Sequence, residues 1–569
     1  MTEIIHHDVI IVGGGLAGLR AAVGLSNRCD VAVVSRVHPV RSHSVAAQGG
    51  INAALGNHPE GQDDSVERHT FDTVKGSDYL ADQPSVELMC QEAIPIVYEM
   101  EHWGVPFSRF PDGRIAQRPF GGGAFPRTCY AADRTGHLLL HALYEQIVKS
   151  QVKVYEDCQV LGVAGDDRRV SGLAALDMAT GSAIGLCAKA TLLATGGYGR
   201  VYLRSTNALI NTGAGIALAY RAGVPIKDLE FVQFHPTCLF GTNILITEGA
   251  RGEGGHLFNQ RKERFMERYA REAMELAPRD IVSRSIQTEI NEGRGFDGQY
   301  VLLDLRHLGA EKIKSRLPGI REICIDFSGI DPIDAPIPIL PAQHYSMGGI
   351  QVDQDCRSPV QGLYAAGESA CVSVHGANRL GGNSLLETIA FGKLSSIALA
   401  SELENLPAAD EKMVEAAVKR MEENLRCLSD HRKDGIPYTA IRDRLREVMT
   451  EKVGIFRTQE GLKEAVAVLK GLREESRRVV VTGGVASRRF HQGLINAFEV
   501  GLMVDLGEII AQGALRRQES RGSHFRTDFP QRDDSQWLQH TIATWTAEGP
   551  SFSSQPVEIT KYPPKARTY

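Results

Sequence analysis

His7–Leu25, HDVIIVGGGLAGLRAAVGL, decides the fold. Val9–Val12 is a short apolar run, and Gly13-x-Gly15-x-x-Gly18 follows it at once. Leu16, Leu19, Ala22 and Val23 then recur at helical spacing. A lone GxGxxG is weak evidence, but strand, glycine turn and helix in succession make it a strong dinucleotide fingerprint. The glycines, Gly14 among them, permit a tight turn and a close approach of backbone to a pyrophosphate, which the helix N-terminus stabilises. A second apolar run, DVAVVSR (Asp30–Arg36), completes a βαβ unit. The acid usual at the end of that second strand is missing, with Ser35 and Arg36 in its place. A plain NAD site would thereby lose its ribose partner.

The rest of the chain fits a large globular protein. Its 569 residues exceed what one core usually serves, so two to four domains are expected. A net charge of −6, from 63 basic and 69 acidic residues, gives no reason to expect nucleic acid. Ten cysteines without a C-x-x-C pair argue against a zinc ribbon, an iron–sulfur cluster or a disulfide framework, and no metal site is expected. The first strand begins too early to leave room for a targeting segment. No window approaches the ~20 apolar residues of a membrane span, so membrane contact is expected only through a partner.

Two further segments read as buried strands ending in glycine turns: ATLLATGG (Ala190–Gly197) and GLYAAGE (Gly362–Glu368). A long insertion rich in His, Arg, Gly and Pro separates them. After about residue 405 the texture becomes helical. Ile441, Leu445, Val448, Met449 and Val453 share one face, as do Leu462, Ala465, Val466 and Leu469. From about Phe525 the chain is polar and ends YPPKARTY, which reads as an extended tail lying on something.

The loop after the βαβ unit, RSHSVAAQGGINAAL (Arg41–Leu55), resembles the flavoprotein subunit of succinate dehydrogenase and the related fumarate reductases. The resemblance spans nearly the whole chain, through QRPFGG, FHPT, TEGARGEGG, PRDIVSRSI, HYSMGGI, HGANRLGGNSLLE and ESRGSHFRTDFPQRDD in family order. It implies an α/β fold: a Rossmann-like FAD-binding domain (1–230 and 344–404), an inserted α+β capping domain (231–343), a helical domain (405–525) and an extended C-terminal segment (526–569). It also implies FAD held covalently through His43, since a neutral imidazole is nucleophilic enough for such a bond. Around it, Ser42, Ser44, Gly49 and Gly50 fall on cofactor contacts, as do Glu368, Asn383, Ser384 and Leu385, together with Gly13, Gly14, Gly15, Gly18, Ser35 and Arg36. Ser384 and the glycines before it offer backbone N–H groups at a helix start. Ala214 stands where the family usually has an aspartate near the ribose, and Ala250 and Cys238 also depart from common family residues.

A dicarboxylate needs cationic or hydrogen-bond donors at two ends. The family's motifs place His235, Thr247, His344 and Arg379 there, with Phe120 as a wall. Arg279 matches the proton-transferring arginine, and Glu248 with Arg251 the relay that carries the proton to or from solvent. A guanidinium is ordinarily a poor base, so this role needs crowding by other cations and a hydrogen-bonded carboxylate.

The function expected is interconversion of succinate and fumarate. Electrons pass to an iron–sulfur subunit and then, through membrane anchor subunits, to quinone at the cytoplasmic face of a bacterial inner membrane. An L-aspartate oxidase is the alternative enzyme; it lacks the loop histidine, so His43 argues against it. A flavin-binding scaffold without turnover would not need the dicarboxylate set.

Overall fold

The computed structural model describes residues 3–430 and 434–567; the outermost ends of the expected first and last domains, and three residues within the helical one, lie outside them. Glu3–Val12 is the central strand. It pairs in parallel with Val31–Val34 on one side and Ser182–Leu193 on the other. Lys153–Tyr155 and Leu363–Ala365 extend the parallel sheet at its two flanks. Strands buried on both faces read as continuous apolar runs, and Val9, Ile10, Ile11, Val31, Val33 and Val34 all lie in the main core. Val170–Asp177 and Cys158–Gly165 add an antiparallel pair beside Ser182–Leu193.

Helix Leu16–Leu25 packs against the sheet and against the long helix Asn383–Glu402. A second, separate core gathers Leu257, Val282, Ile286, Val301, Leu303 and Ile339 among others. It is built on an antiparallel sheet in the order Val232–Leu239, Ile337–Ser346, Val301–Asp304, His256–Phe258, with helix Arg279–Asn291 against it. Helices Glu411–Ser429, Tyr438–Lys452 and Gln459–Ser476 then surround the largely buried helix Gln492–Arg516. The two helical faces read from sequence are buried at Ile441, Leu445, Met449, Leu462, Ala465 and Leu469.

The C-terminal stretch is not wholly an extended tail. Gln539–Thr546 and Gly549–Pro556 form a hairpin whose first strand also pairs with Ile226–Lys227, completing a five-stranded sheet. Its alternation carries few large apolar residues, which is why the pattern gave no strand signal. Before the hairpin, from 517 to 538, and after it, from 557 to 567, the chain runs without helix or strand.

Candidate active site

Val12, Val34 and Leu193, the C-terminal residues of three parallel strands, open onto one cavity of about 520 Å³. This is where an open α/β sheet places a nucleotide. Gly13 has φ 117, and a Cβ there would lie 2.1 Å from Ala194 O, so only glycine fits. Gly14 is similarly close, its Cβ meeting Ser35 Oγ at 2.9 Å. Two helices begin at the cavity after a glycine N-cap, Leu16–Leu25 after Gly15, with Ser44 Oγ accepting from Leu16 N at 3.3 Å, and Asn383–Glu402 after Gly382, whose φ is 85. Their N-termini favour negative charge or a carbonyl oxygen. Ser42 Oγ, Thr195 Oγ1 and Asn207 Oδ1 are buried atoms of cavity-lining residues with no hydrogen-bond partner among the described residues. A long polar ligand with phosphates fits this set, as FAD would.

Ser35, Arg36, Ser42, His43, Ser44, Gly49, Gly50, Glu368, Ser384 and Leu385 all line the cavity, as does Ala214. Two expected cofactor contacts do not. Gly18 faces the strand turn instead, where a Cβ would lie 2.0 Å from Gly13 O, so its role is close helix packing. Asn383 points into a buried network: its Oδ1 accepts from Asn52 Nδ2 at 2.8 Å and lies 3.0 Å from His69 Nε2. The missing acid at the second strand has a counterpart in space. Glu499, on helix Gln492–Arg516, lines the same cavity and accepts from Arg36 Nη1 at 2.8 and 3.0 Å. No local sequence pattern links residues so far apart.

His43 starts a short helical turn and sits at the junction of the two halves of the cavity. Ala208 N lies 3.3 Å from its Nδ1, and Asn207 Nδ2 lies 3.4 Å from its Nε2. Asn207 also donates to His344 O at 2.8 Å, tying the loop histidine to the far wall. Burial, assisted by the Arg200 charge, lowers the His43 imidazole to about 4, so it is neutral at ordinary pH. Glu368 accepts from Ser346 N at 2.9 Å, and burial raises its carboxyl to about 7.

The predicted dicarboxylate residues converge on the other end. His235, Thr247, Glu248, Arg279, His344, Arg379 and Phe120 all line the cavity. The strands Val232–Leu239 and Ile337–Ser346 pair with each other and bring the His235 and His344 rings to 4.9 Å, edge to face. Burial and the nearby Arg279 charge push both imidazoles well below their usual range, leaving neutral hydrogen-bonding rings. Thr247 caps helix Glu248–Gly252, its Oγ1 accepting from Gly249 N at 3.2 Å. Arg379 stacks over the Tyr345 ring at 4.4 Å. Burial first, and then Arg279, bring its guanidinium down to about 9.

Arg279 and Asp280 do not pair with each other. Arg279 bonds Glu248 Oε2 through Nε at 2.7 Å and Nη2 at 2.6 Å. Glu248 Oε1 accepts from Gly121 N at 2.7 Å and lies 3.8 Å from Arg251 Nη2. Burial pushes the Glu248 carboxyl up, but the two arginines hold it below its usual range. Arg251 itself stays off the cavity lining and is buried.

Sequence reading missed the groups that tie these side chains together. Gln233 Oε1 accepts from Arg279 Nη1 at 3.1 Å and from Arg379 Nη2 at 3.0 Å. Its spacing two residues before His235, in an otherwise apolar run, was the available signal. Arg118, inside the quoted QRPFGG, donates to Gly49 O and lies 4.2 Å over the Tyr130 ring, fixing the loop that carries Gly49 and Gly50.

Residues 8–385 match the family model described as an FAD binding domain, and residues 442–569 match the one described as the fumarate reductase flavoprotein C-terminus. The chain is 42% identical to the succinate dehydrogenase flavoprotein subunit of Rickettsia conorii, over 100% of this chain and 99% of that one. It is 43% identical to the fumarate reductase flavoprotein subunit of Mycobacterium tuberculosis, over 99% of each. A solved mutant of the E. coli quinol fumarate reductase FrdA superposes with TM-score 0.95 at 39% identity, covering 100% of this chain and 99% of that one.

Proposed function

This chain belongs to the succinate dehydrogenase and fumarate reductase flavoprotein family, and from that premise we propose how its residues interconvert succinate and fumarate. It is an FAD-dependent oxidoreductase. The observation that carries the proposal is the unbroken Gln233–Arg279–Glu248 hydrogen-bonded chain facing two neutral imidazoles across one cavity.

Arg379 and His344 hold one substrate carboxylate, and His235 with Thr247 the other. A fork-shaped guanidinium suits a carboxylate, and neutral imidazoles donate without adding a competing charge. Phe120 closes the wall and keeps water out. Bound FAD supplies the two-electron acceptor for the hydride, and the donor in the reverse direction. Arg279 takes the proton from the neighbouring carbon on oxidation and returns it on reduction. Glu248, pinned by Gly121 N–H, receives that proton and passes it toward Arg251. Donors fixed before the substrate arrives stabilise charge as it develops.

His43 holds the flavin covalently in this reading. The imidazole lowered to about 4 supports it, because only an unprotonated ring nitrogen is nucleophilic. Electrons leave to an iron–sulfur subunit and reach quinone through membrane anchor subunits at the cytoplasmic face of a bacterial inner membrane. No helix among the described residues is long and apolar enough to cross a membrane. The FAD-binding domain is assigned to 1–230 and 344–404 and the capping domain to 231–343, with a helical domain at 405–525 and the C-terminal segment at 526–569.

The test is a dye-linked assay on the assembled enzyme with succinate, fumarate and L-aspartate. Turnover of succinate and fumarate, and none of aspartate, is expected; turnover of aspartate instead overturns the proposal.

A further inference from the structure

We propose that Arg567, at the end of the C-terminal strap, is a positioning residue for Arg279 and acts through Asp280. The inference rests on the role given to Arg279 above.

After the hairpin, the chain lies along the start of helix Gln83–His102. One buried amide alone binds three consecutive residues there. Gln83 Oε1 accepts from Thr560 N at 3.1 Å, Lys561 N at 2.8 Å and Tyr562 N at 2.9 Å, while its Nε2 donates to Tyr562 O at 2.7 Å. The Tyr562 ring meets Phe71 at 5.3 Å, and Lys561 pairs with Glu87 at 2.6 Å. Farther on, Arg532 Nη1 donates to Lys565 O at 2.9 Å. A surface tail with no task would not carry this density of fixed contacts.

These anchors deliver Arg567 to two carboxylates. Its Nη2 bonds Asp280 Oδ2 at 2.7 Å, and its Nε lies 3.3 Å from Asp78 Oδ2. Asp78 is itself fixed, in a left-handed backbone (φ 56), accepting from Gly522 N at 2.8 Å and pairing with Arg532 at 2.8 Å. Asp78 precedes Tyr79, a member of the main core, whereas Asp280 opens a helix whose Val282 and Ile286 belong to the second core. Arg567 therefore spans two separately packed bodies.

Asp280 and Arg279 are adjacent in the first turn of that helix, one side chain turned toward the strap and the other toward the cavity. Pro278 gives the helix no side-chain cap, so its start is located by what its first residues hold. Glu248 holds Arg279 from the cavity side. Arg567 and Arg284, the latter at 3.0 Å, hold Asp280 from behind. Burial opposes charge on Asp280, yet these arginines keep its carboxyl below the usual range, as a permanent anchor requires. Loosening the rear contact lets the helix start drift, and proton transfer is sensitive to displacements of about 1 Å.

The experiment uses the assembled enzyme with kcat and KM for succinate, FAD content and the flavin spectrum all measured. Arg567→Ala is expected to lower kcat roughly tenfold, with KM within about twofold and FAD content unchanged. Arg567→Lys, which keeps the charge, should restore most of the loss. Asp280→Asn should match Arg567→Ala, and the double variant should be no worse than Asp280→Asn alone. Wild-type kcat in Arg567→Ala, or a loss that tracks FAD content and is not rescued by lysine, overturns the proposal alone. Near-normal turnover of Arg279→Lys would overturn the assignment beneath it as well.

Discussion

Arg279 meets Glu248 through two nitrogens on a single carboxylate oxygen, Oε2, at 2.7 and 2.6 Å, leaving Oε1 to Gly121 N–H and Arg251. The acid thus has one oxygen committed to the arginine and the other to the interior side of the site. In the proposed mechanism the proton enters at Oε2 and leaves from Oε1. Only a planar, forked donor can occupy this position and still reach Gln233 with a third nitrogen.

Arg279→Lys is therefore expected to lower kcat by about 10²–10⁴-fold, the range of a lost general acid–base. Lysine cannot contact Glu248 and Gln233 in the same geometry. Succinate KM should change little, because Arg379 and the two histidines remain. Steady-state kinetics in both directions check this, and kcat within a few-fold of wild type would remove Arg279 from the mechanism.

How far the sequence discloses this site follows from how local each feature is. The glycine turn was legible because strand, turn and helix are contiguous and φ 117 at Gly13 demands glycine. The residues that converge on the cavity, His235, Thr247, Glu248, Arg279, His344 and Arg379, were legible through short motifs, each a few residues long. The Arg36–Glu499 pair and the Gln233 bridge were not, since each depends on chain segments that only folding brings together. The hairpin Gln539–Pro556 escaped for another reason: its outer strand is mostly Ser, Gln and Pro, with little apolar alternation to read.

Gln233→Leu should affect binding and turnover together. It removes the oxygen shared by Arg279 and Arg379 and leaves two buried guanidinium N–H groups without that acceptor. Such groups cost about 1–3 kcal/mol each in stability. Succinate KM is expected to rise and kcat to fall, both by roughly tenfold, because one residue sets both arginines. If only the melting temperature moves, while both kinetic constants stay at wild-type values, Gln233 is a packing residue.

Glu387 predicts a pH dependence of stability. It is buried, accepts from Tyr345 OH at 3.3 Å, and burial together with the neighbouring Glu368 raises its carboxyl to about 8. The folded state then binds a proton that the unfolded chain gives up near its ordinary value of 4.5. Its contribution is fully present below about pH 4.5 and is lost as pH rises through about 8. The steepest slope is about 1.4 kcal/mol per pH unit. Glu387→Gln should flatten the fall in stability between pH 5 and pH 8, measured by urea unfolding (pH values chosen to bracket the window). An unchanged slope in that variant would mean that Glu387 is ionised in the folded protein.

His43 gives the most direct test of the cofactor assignment. With Nδ1 3.3 Å from Ala208 N and its imidazole lowered to about 4, the ring is held neutral at the junction between the nucleotide cradle and the dicarboxylate end. A covalent bond survives unfolding, so acid-precipitated polypeptide from the assembled enzyme should stay yellow and fluoresce. His43→Ser should release all FAD to the supernatant but still fold and bind it, because the Gly13–Gly15 turn and the two helix starts with glycine N-caps remain. That variant should lose succinate oxidation more than fumarate reduction. Substitution of the flavin by imidazole raises its potential, and only removal of hydride from an unactivated carbon needs a strongly oxidising flavin. Equal losses in both directions would separate the bond from the potential. Free FAD from the assembled wild-type enzyme would remove the covalent assignment.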